Sequence, residues 1–261
     1  MPGREKDSYS IQSVENALDV LEALCEEGDE VRISRLSEKL GMNKTSVFRL
    51  LATFENRGYV ERESGSGKYR LGTSAYEMGQ KILSRMGLLR KARPVMERLV
   101  RECNEAIYIA IRRGEDVLFL DMMDTSHQVK IISLVGKHYP LGATAAGKIL
   151  LAGGIGPGMK PGDPPPEDQA PPFAPQKEIS TIRQAGACTD FECLGEGIAS
   201  VAVPLFSAGG DLPGCLCMVG PDFRMTPERI ETEFLPRLKE AGITISSKLG
   251  YFGHYLGGEF L

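Results

Sequence analysis

The sequence predicts an α+β chain in two parts: a winged helix-turn-helix, then a linker helix and a domain with an antiparallel sheet. Three observations predict it. Val47, Leu50, Leu51 and Phe54 fall at i, i+3, i+4 and i+7, which is one face of a helix. They follow a short segment in which Leu36 and Leu40 are apolar and Gly41 stands where a left-handed residue ends a helix. Residues 59–62 and 68–71 carry strand formers on either side of Ser64-Gly65-Ser66-Gly67, which is turn chemistry. In the second half, residues 107–111, 117–122 and 129–135 are short strand-like runs, the first two joined by Gly114-Glu115-Asp116. Short strands joined by tight turns argue an antiparallel sheet.

Taken in order, residues 1–7 are polar, and Ser13 is placed to cap a helix in which Val14, Ala17, Leu18, Leu21 and Leu24 repeat at helical spacing. Ser34 is placed to cap the second helix and Asn43 the third. Two helices joined by a glycine-containing turn and followed by a hairpin make the winged module, expected over 8–72. Residues 73–87, with Tyr76, Met78, Ile82 and Met86, read as one further helix, interrupted at Gly87. The second domain, 88–250, opens with a helix that has Pro94 near its start and Val95, Leu99 and Val100 inward. A short helix is expected at 144–151, another at 178–184, and strands at 200–206 and 212–219 around the turn 208–211. Between the two short helices, residues 153–175 hold eight prolines and five glycines in 23 positions and read as an extended or disordered strip. Thr226-Pro227-Glu228 is a helix start, and the last helix reaches about Lys248 before the tail 251–261.

The charge is unevenly spread. The 261-residue chain has a formal net charge of −4, yet residues 31–72 hold nine basic and four acidic side chains, a local balance of +5. A basic module in an acidic chain is the footprint expected where one domain meets phosphate. The outward face of the third helix carries Lys44, Thr45, Ser46 and Arg49 beside Asn43, and Lys68 and Arg70 lie on the second hairpin strand. These seven residues are the candidate contacts to double-stranded DNA, with a non-binding helical subdomain as the competing reading. One reading helix covers few base pairs, so a homodimer or a dimer of dimers on a palindromic operator is expected. No run of about 20 apolar residues and no signal-like start is present, which predicts a cytoplasmic protein with no membrane segment.

The run GMNKTSVFRLLATFENRGYV followed by KYRLG resembles the DNA-binding domain of the IclR family of bacterial transcriptional regulators. The likeness continues in the second half, in Pro140-x-x-Ala143-Thr144-Ala145-x-Gly147-Lys148 and in the spacing of Gly186, Asp190, Glu192, Gly197, Ala202 and Pro204. It departs from the family pattern in the Thr45-Ser46 order, at Asn16 and in the Pro/Gly-rich strip. The resemblance implies a linker helix that pairs two DNA-binding domains and a C-terminal antiparallel-sheet effector domain of GAF-like type. It also implies effector contacts at Ala145, Ala146, Asp190, Ile198, Ser200, Cys217 and Val219. A helix start with small residues suits an anionic group, which favours a carboxylic acid as the effector.

No catalytic set is legible. His127, His138 and His254 are the only histidines, and no nucleophile, base and orienting group can be placed by spacing. Gly142 to Lys148 fits G-x-x-x-x-G-K, but Ile149 stands where magnesium would need Ser or Thr, so a phosphate-cradling loop is not expected. No cofactor and no metal ligand is expected. The rival readings are a small-molecule hydrolase or binding protein with a vestigial DNA domain, and a thiol or metal sensor built on Cys188, Cys193, Cys215 and Cys217.

Overall fold

The computed structural model describes residues 10–28, 30–153 and 176–253. The expectations for residues 1–7, for the Pro/Gly-rich strip beyond Gly153, for the tail beyond Gly253 and for His254 lie outside the described residues. The chain separates between Arg85 and Met86 into two compact units.

In the first unit, α1 (Gln12–Glu27), α2 (Ile33–Leu40) and α3 (Lys44–Asn56) precede the hairpin of β1 (Val60–Arg62) and β2 (Tyr69–Leu71), and α4 (Thr73–Arg85) follows. The core is Val20, Leu24, Leu36, Val47, Leu51, Val60 and Tyr69, with Leu50 and Phe54 partly buried against it, so the predicted helix face is the one that packs. Gly41 ends α2 at φ 63° with its N–H on the carbonyls of the last turn. Asn43 caps α3, its side chain accepting the Ser46 N–H at 2.8 Å. Two expected caps are corrected. Ser13 and Ser34 both lie inside their helices, and the cap positions fall to Ile11 and Arg32, which make no side-chain cap hydrogen bond. Just before α2, Val31 is held to Tyr69 of the wing by one isolated antiparallel bridge, so the chain turns into the helix directly after it.

In the second unit, α5 (Gly87–Cys103) leads into β3 (Ala106–Arg113) and β4 (Asp116–Met123). Then come β5 (His138–Pro140), a 3-10 turn at Leu141–Ala143, α6 (Ala145–Ala152) and α7 (Gln176–Ala185). Strands β6 (Cys188–Phe191), β7 (Ile198–Leu205) and β8 (Gly214–Pro221) precede α8 (Pro227–Arg229), a π turn at Ile230–Phe234 and α9 (Leu235–Lys248). The six strands form one antiparallel sheet in the order β5-β4-β3-β8-β7-β6. Alternation along each strand sends side chains to opposite faces. One face meets α5 and α9, the other α6, against which α7 packs.

The strand expected at 129–135 does not form. Pairing with β4 is taken by His138–Pro140, and Ile132 is 81% exposed with Val129 and Val135 also exposed, so β-branched composition had no buried surface to act on. Only Leu134 of that run is fully buried.

Candidate functional site

On the first unit, α3 presents Lys44, Thr45, Phe48 and Arg49 to solvent, while Val47 and Leu51 are buried behind them. The Asn43 side chain is committed to the cap, where it accepts the Ser46 backbone N–H, and Ser46 is half-buried. A groove of about 690 Å³ runs between α2, the start of α3 and the wing turn, lined among others by Arg32, Ser34, Lys44, Thr45, Phe48 and Ser66.

The basic side chains of this unit fall into two groups. Arg35 and Lys39 of α2 converge on Glu27 of α1 at 2.9 and 3.0 Å, and their hydrogen bonds hold the Glu27 carboxyl down at about 2. Lys68 pairs with Glu30 at 2.7 Å and Arg70 with Glu61 at 2.9 Å. Among the described residues Arg32, Lys44, Arg49, Arg57 and Arg62 have no ion pair, although Arg62 lies over the Tyr69 ring at 5.8 Å. Of the seven expected DNA contacts, Lys44, Thr45 and Arg49 are therefore exposed donors without a charged partner. Lys68 and Arg70 already hold one.

On the second unit the seven expected effector residues come together. Asp190, Ser200 and Val219 are direct cross-strand partners in one row on the α6 face. The next row on that face runs Cys188, Ala202, Cys217, Tyr108 and Met122. Ile198 lies two residues from Ser200 on the same face and packs against this cluster, as do Ala145 and Ala146 of α6. The Asp190 carboxylate accepts the Ala145 N–H and the Ser200 hydroxyl, the latter at 3.0 Å. Burial nonetheless raises the Asp190 carboxyl above its ordinary value, outweighing both hydrogen bonds and the charge of Lys148.

Two parts of the sequence argument change here. The start of α6 was expected to receive an anionic ligand, but its first amide is held by Asp190 and the Gly147 N–H by the Thr144 side chain at 3.1 Å. Gly147 is required by the chain itself, since a Cβ there would stand 2.1 Å from the Leu141 carbonyl oxygen. The four thiols also do not converge. Cys188 and Cys217 share a row but are separated by β7, roughly 9–10 Å at ordinary strand spacing. Burial pushes Cys188 up to about 12 and raises Cys215 and Cys217 as well, so these sulfurs are held as thiols. Cys193 is exposed, and its thiol too is raised.

Sequence reasoning missed Tyr108. Its side chain is fully buried and packs edge-on against Phe119 at 5.5 Å, which in turn meets Tyr139 at 5.8 Å. The Tyr108 hydroxyl is buried with no partner in good hydrogen-bond geometry among the described residues, although the Leu134 backbone stands close enough to oppose part of the rise that burial causes. Burial pushes it up to about 12. In the sequence Tyr108 is one more strand former, and nothing in its spacing marks the hydroxyl.

Residues 13–64 match the IclR helix-turn-helix domain, and residues 80–154 and 173–247 match the C-terminal domain of the bacterial transcriptional regulator IclR. The chain is 30% identical over 254 residues to the HTH-type transcriptional regulator KdgR of Escherichia coli, covering 95% of this chain and 96% of the relative. The crystal structure of Thermotoga maritima IclR superposes with a TM-score of 0.71 at 24% identity, over 93% of this chain and all of that one. An IclR homologue from Microbacterium hydrocarbonoxydans, solved in complex with 4-hydroxybenzoate, superposes with a TM-score of 0.72 at 22% identity, over 91% of this chain and 98% of that one. No described helix is long and apolar enough to cross a membrane. The chain belongs to the IclR family of bacterial transcriptional regulators: it is a DNA-binding regulator with a C-terminal effector domain, not an enzyme.

Proposed function

We propose that the protein works in the cytoplasm as a homodimer, or a dimer of dimers, on a palindromic operator, and that a small organic acid bound on the α6 face of its sheet shifts its affinity for that DNA. The DNA contacts in this reading are Lys44, Thr45, Ser46 and Arg49 with Asn43, and Lys68 or Arg70 on the backbone. The α4 helix, which buries none of its residues, is the linker that pairs two such modules.

The observation that carries the effector reading is Tyr108. A buried hydroxyl without a well-formed hydrogen bond destabilises a fold by up to about 1–3 kcal/mol, and a ligand acceptor beside Tyr108 would reduce that penalty. Cys217 is the direct cross-strand neighbour of Tyr108, and Ser200 and Asp190 follow two and three strands away in the adjoining row, polar groups on an otherwise apolar face, the composition of a small-molecule site. An acid is favoured because burial disfavours the charged form of the Asp190 carboxyl, which lessens its repulsion of a ligand carboxylate. The Tyr108–Phe119–Tyr139 edge-on run offers a wall for an aromatic ring, a chemistry shared with the 4-hydroxybenzoate held by the Microbacterium relative. Such a ligand changes DNA affinity only through unequal affinity for two arrangements of the dimer.

The test uses the full chain and a DNA duplex it selects from a randomised pool. Small aliphatic and aromatic carboxylic acids, 4-hydroxybenzoate included, are titrated while DNA retardation and thermal midpoint are followed. One class of acid should shift both, and Tyr108→Phe should weaken that response roughly 3- to 10-fold, the worth of one hydrogen bond, with ligand-free DNA affinity unchanged. A panel in which no acid moves either readout removes the acid reading.

A further inference from the structure

Phe48 is out of place by the logic of the fold. It is 47% exposed in the middle of α3, while the core of its unit closes on Val47, Leu50, Leu51 and Phe54 without it. Its ring shares a helix face with Lys44 and Thr45, one turn earlier, while Arg49, the next residue, stands about 100° further round the helix on the side of Thr45. Among the described residues neither Lys44 nor Arg49 is engaged by an acid. The ring also lines the groove that reaches Ser34 and the wing residue Ser66.

A phenyl ring between two unpaired cations fits a polyanion that also offers an apolar point of contact. The major groove of DNA admits a helix and presents one such point, the C5 methyl of thymine, which aromatic and small apolar side chains contact directly. A second protein surface would satisfy the ring but not the two cations.

We propose that Phe48 reads thymine through its C5 methyl and so sets base preference together with Arg49. The inference rests on α3 being the DNA-reading helix. Lys44 and Thr45 stand one turn before the ring and Arg49 follows it in sequence, so the thymine lies next to the positions they reach.

The experiment replaces each thymine of the selected duplex by uracil in turn, which deletes one methyl group and leaves every hydrogen-bonding edge intact. At one thymine per half-site the full chain should bind about fourfold more weakly, the worth of one buried methyl-sized group. Phe48→Ala should bind the thymine and uracil duplexes equally, and Phe48→Leu should keep part of the difference. Because the ring is exposed, both variants should keep the thermal midpoint of the parent. Equal binding of all duplexes by the parent chain, or an undiminished uracil penalty in Phe48→Ala, overturns the proposal while the reading helix stands. A change of oligomeric state in Phe48→Ala with the thymine preference intact also overturns it, by placing the ring in a protein contact. A chain that selects no duplex at all overturns the reading-helix assignment, and this proposal with it.

Discussion

Asp190 and Ala145 are joined across 45 residues of chain, the first amide of α6 donating to a carboxylate on β6. Burial holds that carboxyl above its ordinary value. A folded state with a raised carboxyl binds more protons than the unfolded chain, so this contribution is full below the ordinary carboxylate range. It is lost as pH rises from there through the raised value. The thermal midpoint of the ligand-free protein should therefore fall over that window, and Asp190→Asn should flatten the fall while still accepting from Ser200. Asp190→Ala strands the Ala145 N–H and the Ser200 hydroxyl in the interior, at about 1–3 kcal/mol each. An Asn variant with the parent's pH slope would exclude Asp190 as its source.

Glu105 and Arg224 form the buried ion pair of the second unit, with side chains 2% and 15% exposed and two bonds of 2.6 and 3.0 Å. Arg224 also donates to the Val129 carbonyl at 2.9 Å, tying down the stretch that failed to become a strand. Removing one partner of such a pair leaves a buried charge unmatched, a loss of about 3–5 kcal/mol, whereas replacing both is often near neutral. In urea titrations Arg224→Met should lose that much and Glu105→Gln with Arg224→Met should recover most of it. Equal losses in the single and double variants would assign the effect to packing.

The parts of this fold that were legible in the sequence are those where local chemistry and burial agree. Val47, Leu50, Leu51 and Phe54 are spaced for one face and pack on one face; Gly41, Asn43 and Thr226 are terminator and caps by residue type and act as such. Residues 129–135 were misread because β-branched composition carries no information about whether a neighbouring strand has an edge to offer. The short strand β6 was not anticipated, since its four residues pair only because β7 lies beside them. At the candidate sites the motif residues Asp190, Ser200 and Val219 do share a row. The pairing of Lys68 with Glu30, the occupation of the α6 start by Asp190 and the orphaned Tyr108 hydroxyl depend on residues 38 to 45 positions apart or on what is missing around an atom, and no spacing rule records either.

The two halves of the basic surface should behave differently in DNA binding. Among the described residues Lys44 and Arg49 meet no acid, whereas Lys68 must leave or share Glu30 to reach a phosphate. Arg49→Ala should weaken binding by about 1–3 kcal/mol and relax one position of the site. Lys68→Ala should weaken it less than Lys44→Ala does. Glu30→Gln should strengthen binding to any duplex and steepen its salt dependence by about one unit of slope, as one more lysine becomes available. A Glu30→Gln variant with the parent's salt slope would show that Lys68 does not meet the backbone.

Assembly is the last expectation, and it turns on apolar side chains that the first unit does not use. On α1, Val14 and Leu18 lie one turn apart and are exposed, and Ile11 extends the same face. The α4 helix buries none of its residues, and Tyr76, 68% exposed, and Ile82 are both open to solvent. Apolar surface of this kind on two helices of one unit is covered in stable proteins by a partner, and the symmetric copy is the partner that would also give a palindromic site two reading helices. Leu18→Asp combined with Ile82→Asp puts charges on both faces without touching a core residue, so the unit should still fold. At micromolar concentration the parent should sediment as a dimer or larger and the double variant as a monomer. The variant should bind a duplex with two half-sites hardly better than one with a single half-site. A double variant that stays dimeric would move the interface off α1 and α4, and a monomeric parent with full DNA affinity would remove the dimer from the mechanism.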